Sequence, residues 1–393
     1  MNVLIRRPAT LAGAALLGWG FSKTVNTTGF VASPAYLTGA GFLLGVGLLA
    51  STRDIVLKDL RDRFGTVLSA VTIGVVVKAG LIAAVMYAVR RDPMAILLGV
   101  AMAQIDPLAV AAVRRGDRLS PRAQSILGAW ASFDDPFTVL LTVYATGFAM
   151  SASGGPGHTS LGTSGQQLGQ FAVDLVRNAV FVAVSWLLWQ VLRRLARSSR
   201  TPGHKKAADG IGLALLAVLV VVGAAQFLLL GLAVTGLFFR PPVGRVLRVG
   251  SDVAFHVASF GLGLLLVNGV SLRLGLLLAV AAVGAHGLVS VPISRGLGTR
   301  DRAYLAAGQQ NGMTAVVLAL LLDRDFKGVV GIVAPAVVGI AVIHAVWNGV
   351  LDRYFHPENG ADPVVSQQQP AQLQPSAGLP TDIGLTQAAA AHI

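Results

Sequence analysis

The feature that most constrains this chain is the repetition of long apolar segments along most of its length. Residues 64–89 and 271–292, for example, each contain a single Lys or Arg. A helix of about 20 apolar residues spans the hydrocarbon core of a bilayer, which is roughly 30 Å thick. Only 12% of all residues are charged, whereas soluble domains have about 25%. The chain therefore has too little charge for a water-facing surface, and we predict an all-α polytopic membrane protein.

The apolar segments predict about twelve transmembrane helices within a single transporter domain, residues 1–355. The first, the second and the pair within 209–239 are short. The tail, residues 356–393, is rich in Gln, Pro and Ala and has no apolar periodicity, so we expect a disordered cytoplasmic extension. The predicted spans are residues 8–22, 35–50, 64–89, 93–113, 123–149, 170–192, 209–223, 225–239, 249–268, 271–292, 303–322 and 328–351.

The basic residues predict the orientation of these spans. With the N-terminus in the cytoplasm, 23 of the 31 Lys and Arg residues fall in cytoplasmic segments, six fall outside or, as Arg273 does, at the outer end of a span, and two lie deeper within spans. Cytoplasmic loops of membrane proteins carry such an excess. We therefore expect a multi-pass protein of the cell membrane with both termini in the cytoplasm. The net charge of +13 then reflects topology and lipid contact, and does not indicate binding to nucleic acid.

Several function classes are disfavoured by what the sequence lacks. The chain has no cysteine, which rules out disulfides and thiolate chemistry. No nucleotide-binding loop, metal-spacing motif or nucleophile–base pair stands out. We therefore expect a transporter, not an enzyme, with no cofactor other than the ions it moves.

Three aspartates fall near the centres of predicted spans. Asp106 lies in span 4, and the adjacent Asp134 and Asp135 lie in span 5. A carboxylate at the bilayer centre costs roughly 2.5–3.5 kcal/mol and usually has a function. A carboxyl group removed from water binds protons more readily, and its ionised oxygens are good ligands for a hard cation. One group can therefore hold a proton or a cation but not both, and this competition predicts ion exchange.

Polar and helix-breaking residues accompany these aspartates in two regions. Broken helices at corresponding positions of two inverted halves mark the binding site in secondary transporters. Spans 3–5 and 10–12 run in opposite directions here, which predicts inverted repeats with two broken crossing helices. Proline interrupts helical hydrogen bonding, and glycine-bounded polar residues are unusual in an apolar span. The predicted helix breaks lie at Pro107 and Pro136, and at Gly308-Gln309-Gln310-Asn311-Gly312.

Two bases and one hydroxyl complete the candidate site. Lys78 lies near the middle of span 3, where we expect it to pair with an aspartate or face a water-filled gap. His286, in span 10, either counters an aspartate or forms a structural hydrogen bond. Ser132 precedes the Asp134–Asp135 pair, and Gln309, Gln310 and Asn311 are further supporting residues. His256 and His344 are expected to serve in packing or hydrogen bonding.

With these residues in place, the chain resembles the monovalent cation:proton antiporter superfamily over roughly residues 35–350. The resemblance rests on an Asp-Pro in span 4, an Asp-Asp in span 5 and a glycine-bounded polar break in span 11. It implies that Asp135 binds the cation and the proton. Asp106 matches the Asp of the family's Thr-Asp-Pro motif and would also contribute to the cation site, but Ile105 replaces the Thr. Asp134 matches the position that is Asp in electrogenic members and Asn in electroneutral ones.

The resemblance also implies an architecture and an assembly. Members have a panel domain and a six-helix core, and they are usually homodimers. In this chain the core would be formed by residues 64–149 together with residues 271–351. His286 falls at the span-10 position where electrogenic members often have Lys, and Asn311 falls near the position where many electroneutral members have Arg. The expected function is exchange of Na⁺ or Li⁺ for protons by alternating access. The alternatives are K⁺:proton exchange, or an uncoupled channel or sensor on the same fold.

Overall fold

The computed structural model describes residues 3–25, 29–30, 33–53, 65, 69–105, 118–152, 168–198, 202–240, 244–308 and 311–355. Every regular element in these ranges is helical. A π-helical turn, Ala70–Gly74, leads into α3, and a 3₁₀ turn, Leu266–Asn268, follows α9. The α-helices with described bounds are α1 Val3–Thr24, α2 Pro34–Arg53, α3 Val75–Arg90, α4 Met94–Ala101, α5 Pro121–Ala152, α6 Leu168–Ser198, α7 Pro202–Ala225, α8 Leu229–Phe238, α9 Gly244–Leu265, α10 Leu272–Ile293, α11 Thr299–Ala306, α12 Met313–Asp325 and α13 Val329–Phe355.

The predicted membrane class is confirmed, although the total of twelve spans stays a prediction. Among the described residues, five helical segments are long and apolar enough to cross a bilayer by length and composition. Three shorter apolar helices, Pro34–Ala50, Asp209–Ala225 and Leu229–Phe238, accompany them. The five long segments are Thr72–Arg90, Val173–Arg194, Val249–Asn268, Leu272–Ile293 and Val329–Phe355.

Two predicted spans are interrupted. The span predicted at 93–113 begins with α4, which ends at Ala101 and is followed by non-helical residues 102–105. The span predicted at 303–322 is divided between α11 and α12, and the described residues between them, 307–308 and 311–312, are not helical. Half-helix α4 contacts α12, so the two interrupted spans meet inside the protein.

The predicted helix break at Pro136 is wrong. Helix α5 runs for 32 residues through Pro136 without interruption. A proline removes one amide donor and crowds the carbonyl four residues earlier, but the other hydrogen bonds of a long helix remain. Membrane helices accommodate this loss when neighbouring groups satisfy the freed carbonyl.

The boundary predicted between the spans 209–223 and 225–239 also shifts. Helix α7 ends at Ala225, and the turn continues to Leu228, whose N–H donates to the Gly223 carbonyl at 2.8 Å.

The packing surrounds α12 with other helices. Every residue from Met313 to Asp323 is buried, and α12 contacts α2, α4, α5, α9 and α13. Helix α10 packs between α3 and α13, and α3 packs against α4. The α3–α4 contact depends on Gly99, because a Cβ there would lie only 2.6 Å from the Cβ and the backbone nitrogen of Ala83.

Helices α1 and α9 approach each other through Gly18 and Gly263. A Cβ at Gly18 would collide with the backbone of Phe260, and a Cβ at Gly263 would collide with that of Ala15. Small residues at helix contacts of this kind let two backbones approach closely in a membrane.

Asp323 gives a testable contribution to stability. Its Oδ1 accepts the backbone N–H groups of Gly328 and Val330, both at 3.0 Å, and so closes the turn from α12 into α13. We expect Asp323→Ala to lower the free energy of unfolding by about 1–3 kcal/mol, because it leaves these donors without their acceptor. The measurement is the thermal midpoint of the detergent-purified protein. Asp323→Asn keeps an acceptor oxygen, so it should lose less, and an equal loss in both variants would contradict this explanation.

Candidate functional site

Adjacent carboxylates on α5 have different partners. Asp134 is fully buried, and its Oδ2 lies 3.0 Å from Nζ of Lys78 on α3. Asp135 is 3% exposed, and its Oδ2 accepts a hydrogen bond from the Thr314 hydroxyl on α12 at 3.0 Å. Neighbouring residues on a helix point about 100° apart. The two carboxylates therefore face different helices.

The Lys78–Asp134 ion pair is enclosed by protein. Both side chains have no exposed surface, and the backbone of Ile105, just beyond half-helix α4, is a further close neighbour of Asp134. Removing two charges from water is costly unless they pair closely. Of the two bases that the sequence offered as partners for Asp134, the structure therefore places Lys78 beside it.

Aromatic rings extend this ion pair. Trp130 lies one turn before Asp134 on α5, and the Lys78 Nζ is 5.5 Å from its ring centroid. A cation at this distance is attracted by the face of an indole ring. The imidazole of His286 stacks on the Trp130 ring, with the ring centroids 4.9 Å apart and an interplanar angle of 25°. Lys78, Trp130 and His286 thus connect α3, α5 and α10.

His286 makes a backbone hydrogen bond on the far side of this stack. Its Nε2 lies 3.0 Å from the Leu305 carbonyl oxygen near the end of α11, and its side chain is fully buried. Of the two roles that the sequence left open, the structure shows the hydrogen bond and places Lys78, not His286, in contact with Asp134.

The two helix interruptions touch each other beside the carboxylates. The Asn311 amide, just before α12, lies 3.4 Å from both the carbonyl oxygen and the sulfur of Met102, which follows α4. Thr314 is in the first turn of α12. The N-terminal end of a helix carries partial positive charge, so the start of α12 provides both a hydroxyl donor and a favourable field for the Asp135 carboxylate.

The structure brings seven of the predicted residues together in one buried region. They are Asp134, Asp135, Lys78, His286 and Asn311, with Gly308 and Gly312 at the interruption. Thr314 and Trp130 were missed. Thr314 lies three residues beyond Asn311, and Trp130 lies four residues before Asp134, so helical spacing from known polar positions was the available signal. Four predicted residues lie outside the described residues, namely Asp106, Pro107, Gln309 and Gln310, and the side chain of Ser132 is likewise not described.

Carboxylate, hydroxyl and backbone carbonyl oxygens are ligands that hard cations prefer. Asp135, Thr314 and the non-helical backbone near Met102 offer such oxygens within one buried region. The same carboxylate accepts a proton when no cation is bound. A helical membrane bundle with two touching helix interruptions beside paired carboxylates is the architecture of a secondary transporter of the antiporter class.

Comparison with known proteins identifies the family. Residues 10–351 match the family described as "Sodium/hydrogen exchanger, transmembrane", and the chain belongs to that family. This confirms the predicted superfamily and the general activity of cation:proton exchange. A search among curated protein sequences found no match.

Solved structures show the same fold. The sodium proton antiporter MjNhaP1 from Methanocaldococcus jannaschii at pH 8 matches with a TM-score of 0.66 and 16% identity, over 87% of this chain and 92% of that one. An electron-microscopy structure of the same antiporter matches with a TM-score of 0.57 and 18% identity, over 91% of this chain and 99% of that one. At these identities the likeness concerns the fold alone.

Proposed function

We propose that the protein exchanges Na⁺ or Li⁺ for protons by alternating access across the cell membrane, as a homodimer with both termini in the cytoplasm. The observation that supports this most directly is the pair of adjacent buried carboxylates with different partners, Asp135 on Thr314 and Asp134 on Lys78. One carboxylate is arranged for ligand exchange, and the other is arranged as part of a charge pair.

Asp135 is the proposed site where cation and proton compete. When its proton leaves, its oxygens and the Thr314 hydroxyl oxygen become ligands for a dehydrated monovalent cation. Asp106, whose structure is not described, keeps its proposed role from the sequence as a further acidic group at the crossing. The apolar residues around the site exclude water, which strengthens the electrostatic attraction of the carboxylate for both the proton and the metal cation.

The second carboxylate supports an electrogenic cycle. If Asp135 releases one proton when the cation binds, and the Lys78–Asp134 pair releases another, two protons move for each monovalent cation. One net charge then crosses the membrane per cycle, and each 100 mV of potential contributes about 2.3 kcal/mol. The pair is a suitable second proton carrier because it combines an acid and a base in direct contact with no exposed surface.

K⁺ is the alternative transported cation, and one observation favours it. Ile105 is buried beside Asp134 at the position where the antiporter superfamily has the Thr of Thr-Asp-Pro. An isoleucine side chain offers no oxygen ligand. A site with one ligand fewer discriminates less strongly against a larger cation.

A flux assay in proteoliposomes tests the proposal. We expect an outward Na⁺ or Li⁺ gradient to drive proton uptake that a pH-sensitive dye records inside the vesicles, and a K⁺ gradient to drive less. Equal or greater flux with K⁺ would select the alternative cation. Cation flux without proton movement would indicate a channel, and no flux with any of the three cations would indicate a non-transporting sensor.

A further inference from the structure

Half-helix α11 is short and ends inside the protein. It has eight residues, Thr299–Ala306, fewer than a helix needs to be stable by itself. The last carbonyl groups of any α-helix lack partners within the helix. In the membrane interior these groups need other donors, since water is scarce there, and the Gly308 N–H, 3.2 Å from the Leu305 oxygen, is one of them.

Two buried histidines from different helices meet these carbonyls. His286 on α10 places Nε2 3.0 Å from the Leu305 oxygen, and His344 on α13 places Nδ1 2.7 Å from the Ala307 oxygen. A carbonyl oxygen only accepts hydrogen bonds, so the facing ring nitrogen must carry the proton in each case. The two imidazoles therefore donate through opposite ring nitrogens to the same helix end.

Each ring also makes a second contact. The Nε2 of His344 lies 3.1 Å from the side-chain amide nitrogen of Asn348, and it can accept that N–H only as a neutral imidazole donating through Nδ1. The plane of His286 is set by its stacking on Trp130. Both imidazole rings are thus held by neighbouring side chains.

The opposite end of α11 is anchored independently. The Asp301 carboxylate accepts hydrogen bonds from the Ser120 backbone N–H at 2.9 Å and from the Ser120 hydroxyl at 2.5 Å. The Tyr304 hydroxyl donates to Asp352 on α13 at 2.7 Å. The Asp301 contacts secure the start of the half-helix, whereas Tyr304 lies in its last turn, beside Leu305.

That end leads directly into the candidate ion site. Gly308 follows Ala307, and a Cβ built on Gly308 would lie 3.7 Å from His286 Nε2. A few residues further, Asn311 contacts Met102 and Thr314 contacts Asp135. The end of α11 and the residues that make these contacts are therefore close along the chain.

We infer that His286 and His344 are positioning residues that hold the C-terminal end of α11 and thereby set the affinity for the transported cation. The inference rests on the proposed function, because it requires a cation to bind at the interruption. The histidines touch neither carboxylate in this arrangement and act through the backbone of the half-helix.

Amide variants can imitate each donor separately. In Gln the amide nitrogen replaces imidazole Nε2, and in Asn it replaces Nδ1, so His286→Gln and His344→Asn preserve the respective hydrogen bonds. His286→Leu and His344→Leu keep apolar volume but remove the donor. We expect each Leu variant to raise the half-saturating Na⁺ concentration roughly fivefold, the equivalent of about 1 kcal/mol for one hydrogen bond. The amide variants should retain most of the wild-type affinity.

The control is His256→Leu. His256 is exposed on α9, and its Nδ1 lies 2.7 Å from the Asp252 carbonyl oxygen of the same helix, so this substitution should leave the Na⁺ constant unchanged. The half-saturating Na⁺ concentration, the maximal rate and the thermal midpoint are measured for all five variants. Leu variants that lose thermal stability but keep the wild-type Na⁺ constant would overturn the inference, as would amide variants no better than Leu. Absence of exchange in the wild type would instead overturn the proposed function.

Discussion

Asp135→Asn is expected to abolish Na⁺-driven proton movement in proteoliposomes. An amide neither releases a proton in this pH range nor supplies negative charge to a cation, so both halves of the competition are lost. The protein should remain folded, because the Asn oxygen still accepts the hydrogen bond that Thr314 donates to Asp135 at 3.0 Å. A thermal midpoint near that of the wild type would show that the loss is functional.

Two further variants sharpen this test. Thr314→Val removes the hydroxyl partner but keeps the carboxylate, so we expect a higher half-saturating Na⁺ concentration with exchange still present. Asp92→Asn changes a partly exposed carboxylate in the loop after α3, where it pairs with Arg90, the last residue of that helix. Exposed ion pairs contribute little, and exchange should persist there. Full Na⁺-driven flux in Asp135→Asn would remove Asp135 from the site.

The sequence predicted those site residues whose side chains are energetically unfavourable inside a membrane. A carboxylate or a lysine within an apolar span is expensive, so Asp134, Asp135 and Lys78 were visible without a structure. The polar, glycine-bounded segment around Asn311 was visible for the same reason, since it interrupts an apolar run. Composition and charge distribution were sufficient for the all-helical membrane class.

The partners of these residues depend on which helices pack together, and spacing along the chain does not show this. The sequence could not decide whether Lys78 or His286 pairs with Asp134, because α3 and α10 both pack near α5 only in the folded bundle. Pro136 was misread because a single proline costs one hydrogen bond, which a 32-residue helix tolerates. For His344 the sequence predicted packing or hydrogen bonding, but nothing in its spacing indicated the Ala307 carbonyl as its partner.

The Lys78–Asp134 pair should determine both stability and stoichiometry. Lys78→Met leaves the Asp134 carboxylate buried without its cation, and breaking a buried pair in this way typically costs 3–5 kcal/mol, so we expect about that loss in the free energy of unfolding. The double variant Lys78→Met with Asp134→Asn removes both charges and should recover much of this loss. The measurement is the thermal midpoint of the three proteins in detergent, and no recovery in the double variant would show that the charge pair is not the cause.

Transport measurements on the Asp134→Asn variant distinguish the role of the Lys78–Asp134 pair from that of the cation site. If the pair carries the second proton, this variant should exchange one proton for one cation, while the wild type exchanges two. The difference appears when a potassium gradient with valinomycin clamps the membrane potential, provided that the first flux assay has shown that K⁺ is not a substrate. A two-for-one exchanger moves one net charge and shifts its equilibrium by about 2.3 kcal/mol per 100 mV, whereas a one-for-one exchanger does not respond. Wild-type exchange that balances at equal Na⁺ and proton gradients, whatever the voltage, would mean that Asp134 keeps its charge state through the cycle and that the pair serves only to hold α3 against α5.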